Sequence, residues 1–364
     1  MTSDTFYMSR ALQLAERGLF TTDPNPRVGC VIVKNDQVVG EGWHQRAGEG
    51  HAEVNALKEA GLEAKDADCY VTLEPCSHFG RTPPCADTLI GAGVKRVFIA
   101  MMDPNPRVAG SGIAKLEAAG IEVTVGILAA QAEKLNIGFC KRMRIGRPYV
   151  RSKMAMSVDG RTAMESGESK WITGTAARQD VQQLRARSSA ILTGIGTVLA
   201  DDPALTVRPE GWYPQHAIRQ PLRVVVDSQL RISSDAKIFE DNAKVLIATS
   251  VTSQTILPAE VCSLPSDNNQ VNLPALMAEL AKREINEVMV EAGSQLNGAL
   301  LQAGLIDELV IYMAPKIMGD GANGLFHLPE LTTMAQNIDL QIIDIRAVGS
   351  DWRITAIPEY NEEN

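Results

Sequence analysis

His51-Ala52-Glu53, Pro75-Cys76 and Pro84-Cys85 are the stretches around which the first half of this 364-residue chain is organised. One imidazole and two thiolates supply three protein ligands for Zn²⁺, leaving a fourth tetrahedral position for a water whose pKa the ion lowers. Glu53 stands two residues past the imidazole. On a helix that begins near His51 it faces that water without ligating the ion, as a proton shuttle must. The alternative is a structural zinc knot or a disulfide; a structural site is normally closed by a fourth ligand, for which His78 is the obvious candidate.

The set His51, Glu53, Cys76 and Cys85 matches the His-x-Glu then Pro-Cys signature of zinc deaminases, with one departure. Eight residues, Ser77 to Pro84, separate the two cysteines where that signature has two. The long string Pro75-Cys76-Ser77-His78-Phe79-Gly80-Arg81-Thr82-Pro83-Pro84-Cys85 resembles the inter-cysteine loop of the riboflavin-pathway pyrimidine deaminases. His78 and Arg81 are then read as lining the substrate pocket. The hexapeptide Asp-Pro-Asn-Pro-Arg-Val occurs at 23–28 and again at 103–108. It reads either as two Asx-Pro turns or as a source of amide groups for the pyrimidine edge; the resemblance implies the second for Asn25, together with His44.

Composition narrows the setting. Hydrophobic residues make up 45% of the chain, enough for two packed cores at this length. Neither a signal-peptide apolar run near Met1 nor a stretch of roughly 18 apolar residues is found, which predicts a cytoplasmic protein. A formal charge of −9 argues against binding along a nucleic-acid backbone. The six cysteines are expected to be reduced, two as ligands and four as small core residues.

Periodicity predicts a helix from Phe6 to Leu19, a hairpin of Val28–Val33 with Val38–Gly42, and a helix from His51 to Ala60. Strands follow at Cys69–Leu73, Arg96–Ala100 and Ile121–Val125, with helices from Cys85 and from Gly112, then one helix from Ala129 to Ile145. Such alternation predicts an α/β sandwich on a mixed sheet. Gly146-Arg147-Pro148 marks the boundary, giving domains 1–146 and 147–364. Beyond it, strands are expected at Tyr149–Ser157, Ala190–Thr193, Leu222–Val226, Lys244–Ala248, Glu287–Val290 and Glu308–Met313, with helices at Thr175–Arg187 and Gly293–Gln302. A helix opening at a glycine just after a strand lets backbone N–H groups hold a phosphate, although ordinary strand-to-helix turns look the same.

Ser157-Val158-Asp159-Gly160-Arg161-Thr162, Ser169-Lys170-Trp171-Ile172-Thr173, the run Thr197 to Arg208 and Val290-Glu291-Ala292-Gly293 resemble the NADPH-dependent reductase of riboflavin biosynthesis. The whole chain thus resembles the bifunctional deaminase–reductases of that pathway. The resemblance implies an α/β fold: an N-terminal cytidine-deaminase-like α/β/α sandwich and a C-terminal dihydrofolate-reductase-like domain. It implies Zn²⁺ and NADPH as cofactors, a small phosphoribosyl pyrimidine as substrate and a homo-oligomer, dimer or tetramer. Ala155, Trp171, Thr197, Asp201, Ser228 and Gly293, Ser294, Gln295, Leu296, Asn297, Gly298 and Ala299 fall near the cofactor. Ser169, Arg185, Leu205, Arg208 and Glu291 fall near the substrate, and Lys153, Asp201 and Glu291 are candidates to supply the proton that accompanies hydride. Arg185 and Arg208 suit a 5′-phosphate because a guanidinium fork matches phosphate oxygens, the alternative being an ion pair. Two other readings stand beside this one: a deaminase of another base or nucleoside fused to an unrelated nucleotide-binding domain, and a zinc-stabilised binding module.

Overall fold

A computed structural model describes residues 3–77, 83–106, 108–208, 218–241, 244–252 and 256–360. The chain divides into two compact units, Met1–Gly146 and Arg147–Asn364.

In the first unit, α1 (Ser3–Glu16) buries Met8, Ala11, Leu12 and Ala15, the stripe expected from their spacing of three and four. The sheet comprises β1 (Gly29–Lys34), β2 (Gln37–Trp43), β3 (Asp68–Val71), β4 (Arg96–Ile99) and β5 (Glu122–Val125), in the order β2-β1-β3-β4-β5. β1 and β2 form a hairpin whose turn residues Asn35 and Asp36 both have positive φ, as a two-residue turn of matching twist requires. β3, β4 and β5 run parallel, so helices must cross between them. These are α3 (Cys85–Ala92) and α4 (Ser111–Ala118). α2 (Ala52–Ala60) lies directly on β2 because Gly42 carries no side chain: a Cβ there would sit 2.3 Å from the Ala52 carbonyl oxygen.

The single helix expected from Ala129 to Ile145 is in fact two, α5 (Ala129–Leu135) and α6 (Ile137–Ile145), broken at Asn136. The Asn136 amide accepts from the Arg27 N–H at 2.8 Å and donates to the Arg27 carbonyl at 2.9 Å. A side chain satisfying a distant backbone in both directions outweighs helix continuity, which periodicity cannot register.

The second unit is built on β6 (Tyr149–Ser157), β7 (Ala190–Gly194), β8 (Leu222–Val226), β9 (Val245–Thr249), β10 (Glu260–Ser263), β11 (Glu287–Val290), β12 (Glu308–Ala314), β13 (Asp339–Val348) and β14 (Asp351–Glu359). Among the described residues they form one sheet, ordered β10-β9-β8-β7-β11-β6-β12-β14-β13. From β10 to β12 every pairing is parallel, and β14 and β13 close the sheet antiparallel. The central strands β7, β8 and β11 are buried almost throughout, which is why they read as unbroken apolar runs. α7 (Thr175–Arg187), α8 (Ile195–Asp201), α9 (Leu273–Lys282) and α10 (Ser294–Gln302) complete the unit. All six cysteines are free thiols.

Candidate active sites

In the first unit, His51 is the residue that caps α2 and Cys85 is the first residue of α3, while Cys76 follows the end of β3. Their donor atoms all lie within 4.8 Å of one another. His51 Nδ1 is 3.2 Å from Cys85 Sγ and 3.7 Å from Cys76 Sγ. Ligand distances of about 2.0–2.3 Å at a tetrahedral angle require N to S separations of about 3.6 Å, so the trio fits zinc. Neither helix start has a side-chain cap of its own. At the start of α3 the Cys85 N–H donates to Cys76 Sγ at 3.3 Å and the Ala86 N–H to the Cys76 carbonyl at 3.2 Å, and each helix directs the positive end of its dipole toward the cluster, a setting that favours thiolate. Cys76 is pushed down to about 4 by its hydrogen bonds with Cys85 and His51, while Cys85, holding the proton the two thiols share, is raised.

Glu53, in the first turn of α2, is only 3% exposed. Burial raises its pKa, partly offset by the neighbouring His51. It thus lies against the ligand set with protonation poised above the ordinary carboxylate range. Asn25 and His44 also come to this site. His44 packs edge-on against His51, with ring centroids 5.4 Å apart. Burial lowers the His44 pKa, and its Nδ1 lies 3.2 Å from the Gly50 carbonyl. His78 and Arg81 lie outside the described residues. Missed in the sequence was Glu74, buried beside the Pro75-Cys76 ligand; its only signal was a carboxylate at a strand end next to Pro-Cys.

In the second unit, the carboxyl ends of β6, β7 and β11 frame a cleft of ≈ 510 Å³, the size of a cofactor pocket. Lys153, Ala155, Ser169, Thr197, Asp201, Glu291 and the run Gly293 to Asn297 line it. Gly293 caps α10 with no side-chain hydrogen bond, so the first-turn N–H groups of the helix remain available to a phosphate. Gly194-Ile195-Gly196-Thr197 passes from β7 directly into α8, which brings Thr197 and Asp201 to the rim.

The remaining expected residues are placed differently. A Cβ on Gly298 would lie 2.2 Å from the His327 carbonyl oxygen, so that residue serves close packing, and neither it nor Ala299 lines the cleft. Asn297, although in the cleft wall, is buried with its amide satisfied by Ser152 and the Ala292 carbonyl. Trp171 is 65% exposed, under the Arg178 guanidinium. The Ser228 hydroxyl accepts the Val271 N–H, away from the cleft. The Leu205 side chain is packed in the core.

Arg185 does not present an empty fork. It pairs with both carboxylate oxygens of Glu291, at 2.6 and 2.9 Å, and donates to the Thr206 carbonyl at 2.8 Å. Arg208 is tied to α7 through its backbone N–H, which donates to Gln182. Burial works to raise Glu291, but the charge of Arg185, with Lys153 and Arg208, carries it below the ordinary carboxylate range. Burial lowers Lys153, opposed by Glu291. An ionised carboxylate thus sits beside an ammonium that releases its proton readily.

Residues 1–101 match the family described as cytidine and deoxycytidylate deaminase zinc-binding region, and residues 148–354 match the RibD C-terminal domain. The riboflavin biosynthesis protein RibD of Escherichia coli is 54% identical over 357 residues, covering 96% of this chain and 97% of that protein. Its Haemophilus influenzae counterpart is 52% identical, with 98% of each covered. Among solved structures, Acinetobacter baumannii RibD superposes with a TM-score of 0.93 at 48% identity, covering 98% of this chain and 99% of that one. A Thermotoga maritima diaminohydroxyphosphoribosylaminopyrimidine deaminase/5-amino-6-(5-phosphoribosylamino)uracil reductase gives a TM-score of 0.87 at 34% identity, with 98% and 99% covered.

Proposed function

The chain belongs to the RibD family of bifunctional riboflavin biosynthesis enzymes, and from that premise we propose how its residues divide the two reactions. Residues 1–146 are the deaminase and 147–364 the reductase. The substrate is 2,5-diamino-6-(5-phosphoribosylamino)pyrimidin-4(3H)-one, deaminated by water and then reduced by NADPH to 5-amino-6-(5-phosphoribitylamino)uracil. The observation that carries this reading is the convergence of His51, Cys76 and Cys85 with a buried Glu53 against them.

His51, Cys76 and Cys85 would hold a zinc ion, which when bound would acidify the attacking water. Glu53 takes one proton from that water and passes it to the pyrimidine ring, then takes the second from the hydroxyl left on the ring carbon and delivers it to the departing ammonia. Asn25 and His44 orient the pyrimidine, and His78 and Arg81 belong to the same pocket. In the second unit a bound NADPH would supply hydride to C1′ of the ribosyl group. The N-terminus of α10 and the lining residues Ala155, Thr197 and Asp201 hold the cofactor, with Trp171 and Ser228 further along its length. Ser169 and Arg208 hold the substrate, Arg208 reading its 5′-phosphate, and Leu205 contributes through its backbone because its side chain is in the core, while Arg185 keeps Glu291 oriented toward it. Of Lys153, Asp201 and Glu291, Lys153 best suits delivery of the proton to the ring oxygen released on opening, since its pKa is lowered while Glu291 is held ionised.

The assembly is a homo-oligomer. Its support is the outer edge of the second sheet, where β13 pairs with β14 on one side only and leaves Ile342, Ile343 and Ile345 about half exposed, a surface that a second copy would cover. The chain works in the cytoplasm without nucleic-acid partners: its cysteines are free and its formal charge is −9, and no described helix is long and apolar enough to cross a membrane. Supplying the diaminopyrimidine substrate with and without NADPH, and following ammonia and nicotinamide oxidation separately, tests the whole reading. Ammonia should appear without NADPH, and nicotinamide oxidation only after it; oxidation without prior ammonia release would refute the order.

A further inference from the structure

Glu74, the residue before Pro75-Cys76, is 3% exposed, and its carboxylate points away from the ligand cluster into the start of α4. One oxygen accepts the N–H groups of Asp103 and Gly110 at 3.1 and 3.0 Å; the other accepts those of Gly112 and Ile113 at 2.9 and 3.4 Å. Gly110 caps α4 and has no side chain to do so, hence Glu74 serves as the cap from another element. Two further contacts grip the same short stretch. A Cβ on Gly112 would lie 2.0 Å from the Pro75 carbonyl oxygen, so α4 abuts the Pro75 backbone with no room to spare. Past the ligand, the Ser77 and Ser111 hydroxyls are bonded at 2.6 Å. The ligand-bearing tripeptide is thus fastened on both flanks to one helix start.

We infer that Glu74 is a positioning residue for the metal: through its bonds to the start of α4 and the 103–113 segment it fixes Cys76 Sγ at ligating distance. This rests on the zinc reading of His51, Cys76 and Cys85. The carboxylate touches neither the ion nor the substrate and acts only through the backbone it holds. Partners that orient a metal ligand typically carry about 10–100-fold in metal affinity. Glu74→Gln puts an amide NH2 where an oxygen met two N–H donors, undoing half the grip at nearly constant volume.

The experiment uses the full chain loaded with zinc, or with Co²⁺ as a spectroscopic probe, and measures release to a chelator alongside deamination and NADPH oxidation. Wild type must hold the metal and Cys76→Ser must lose it; failure there sinks the zinc reading itself. Given that, E74Q should release metal about 10–100-fold faster and shift the thiolate-to-cobalt band, with NADPH oxidation retained as evidence that the chain is folded. Glu74→Asp, which keeps both oxygens, should recover part of the loss. Ser111→Ala, a milder break in the same clamp, should quicken release several-fold, and it serves if E74Q fails to fold. Metal release and cobalt spectrum matching wild type in the folded variants would overturn the inference, as would a loss of deamination with metal retention intact.

Discussion

Asn25 donates its side-chain amide to Nε2 of His44 across 3.1 Å. With Nε2 accepting, the His44 proton sits on Nδ1, facing the Gly50 carbonyl, and the buried ring is satisfied in its neutral form. With its nitrogen on His44, the Asn25 amide has its carbonyl oxygen as the atom that would accept from a pyrimidine amino group. Asn25→Ala should raise the KM for deamination by about five- to tenfold, the worth of one hydrogen bond, with zinc content and reduction unchanged. Steady-state ammonia release alongside metal analysis checks it; an unchanged KM would remove Asn25 from the pocket.

Glu53→Gln keeps the size of the side chain but not its proton traffic. Deamination should fall by about 10²–10⁴-fold with zinc bound at wild-type stoichiometry. Near-normal turnover in the zinc-loaded variant would refute the shuttle.

Removing zinc should separate the two activities. After chelation the chain should release no ammonia from the diaminopyrimidine yet still oxidise NADPH when given the deaminated intermediate. Parallel loss of both would contradict separate sites.

The Arg185–Glu291 pair is one unit, and replacing Arg185 should act differently from replacing the nearby Arg208. Arg208→Ala should lower kcat/KM for reduction by about 10–100-fold, as loss of a charge-assisted phosphate contact does, and leave deamination untouched. Arg185→Ala strands a largely buried carboxylate and should cost about 3 kcal/mol of stability, read as a lower melting temperature of the second unit. The pH dependence has a definite sign. Because the folded Glu291 pKa is lowered, its stabilisation is complete above the ordinary carboxylate value of about 4.3 and is lost as pH falls through the folded value. The melting difference between wild type and R185A should therefore hold from neutrality to about that pH and shrink below it; a difference that grows on acidification would contradict the pairing.

The metal trio was legible because ligand chemistry and helix-start positions are local: His51 and Cys85 each open a helix, and Cys76 ends a strand segment. Parallel strands announced themselves as apolar runs for the same reason. What escaped notice depends on partners far along the chain. Asn136 breaks a helix for the backbone of Arg27, and Glu74 caps a helix beginning at Ser111. β13, exposed over nearly its whole length, has neither a buried face nor a period to reveal it. Arg185 showed its charge in the sequence, but its bond to Glu291 spans 106 residues.

The latch between Asn136 and Arg27 bears on how the first activity can be excised. The match to the deaminase family ends at residue 101, yet the turn carrying Asn25 adjoins a backbone held from beyond α5. A fragment cut at the family boundary would retain every metal ligand while leaving its pyrimidine-reading corner untethered. The smallest transplantable deaminase module therefore extends through α6, and a shorter one should behave as a zinc protein with a blunted sense of its substrate.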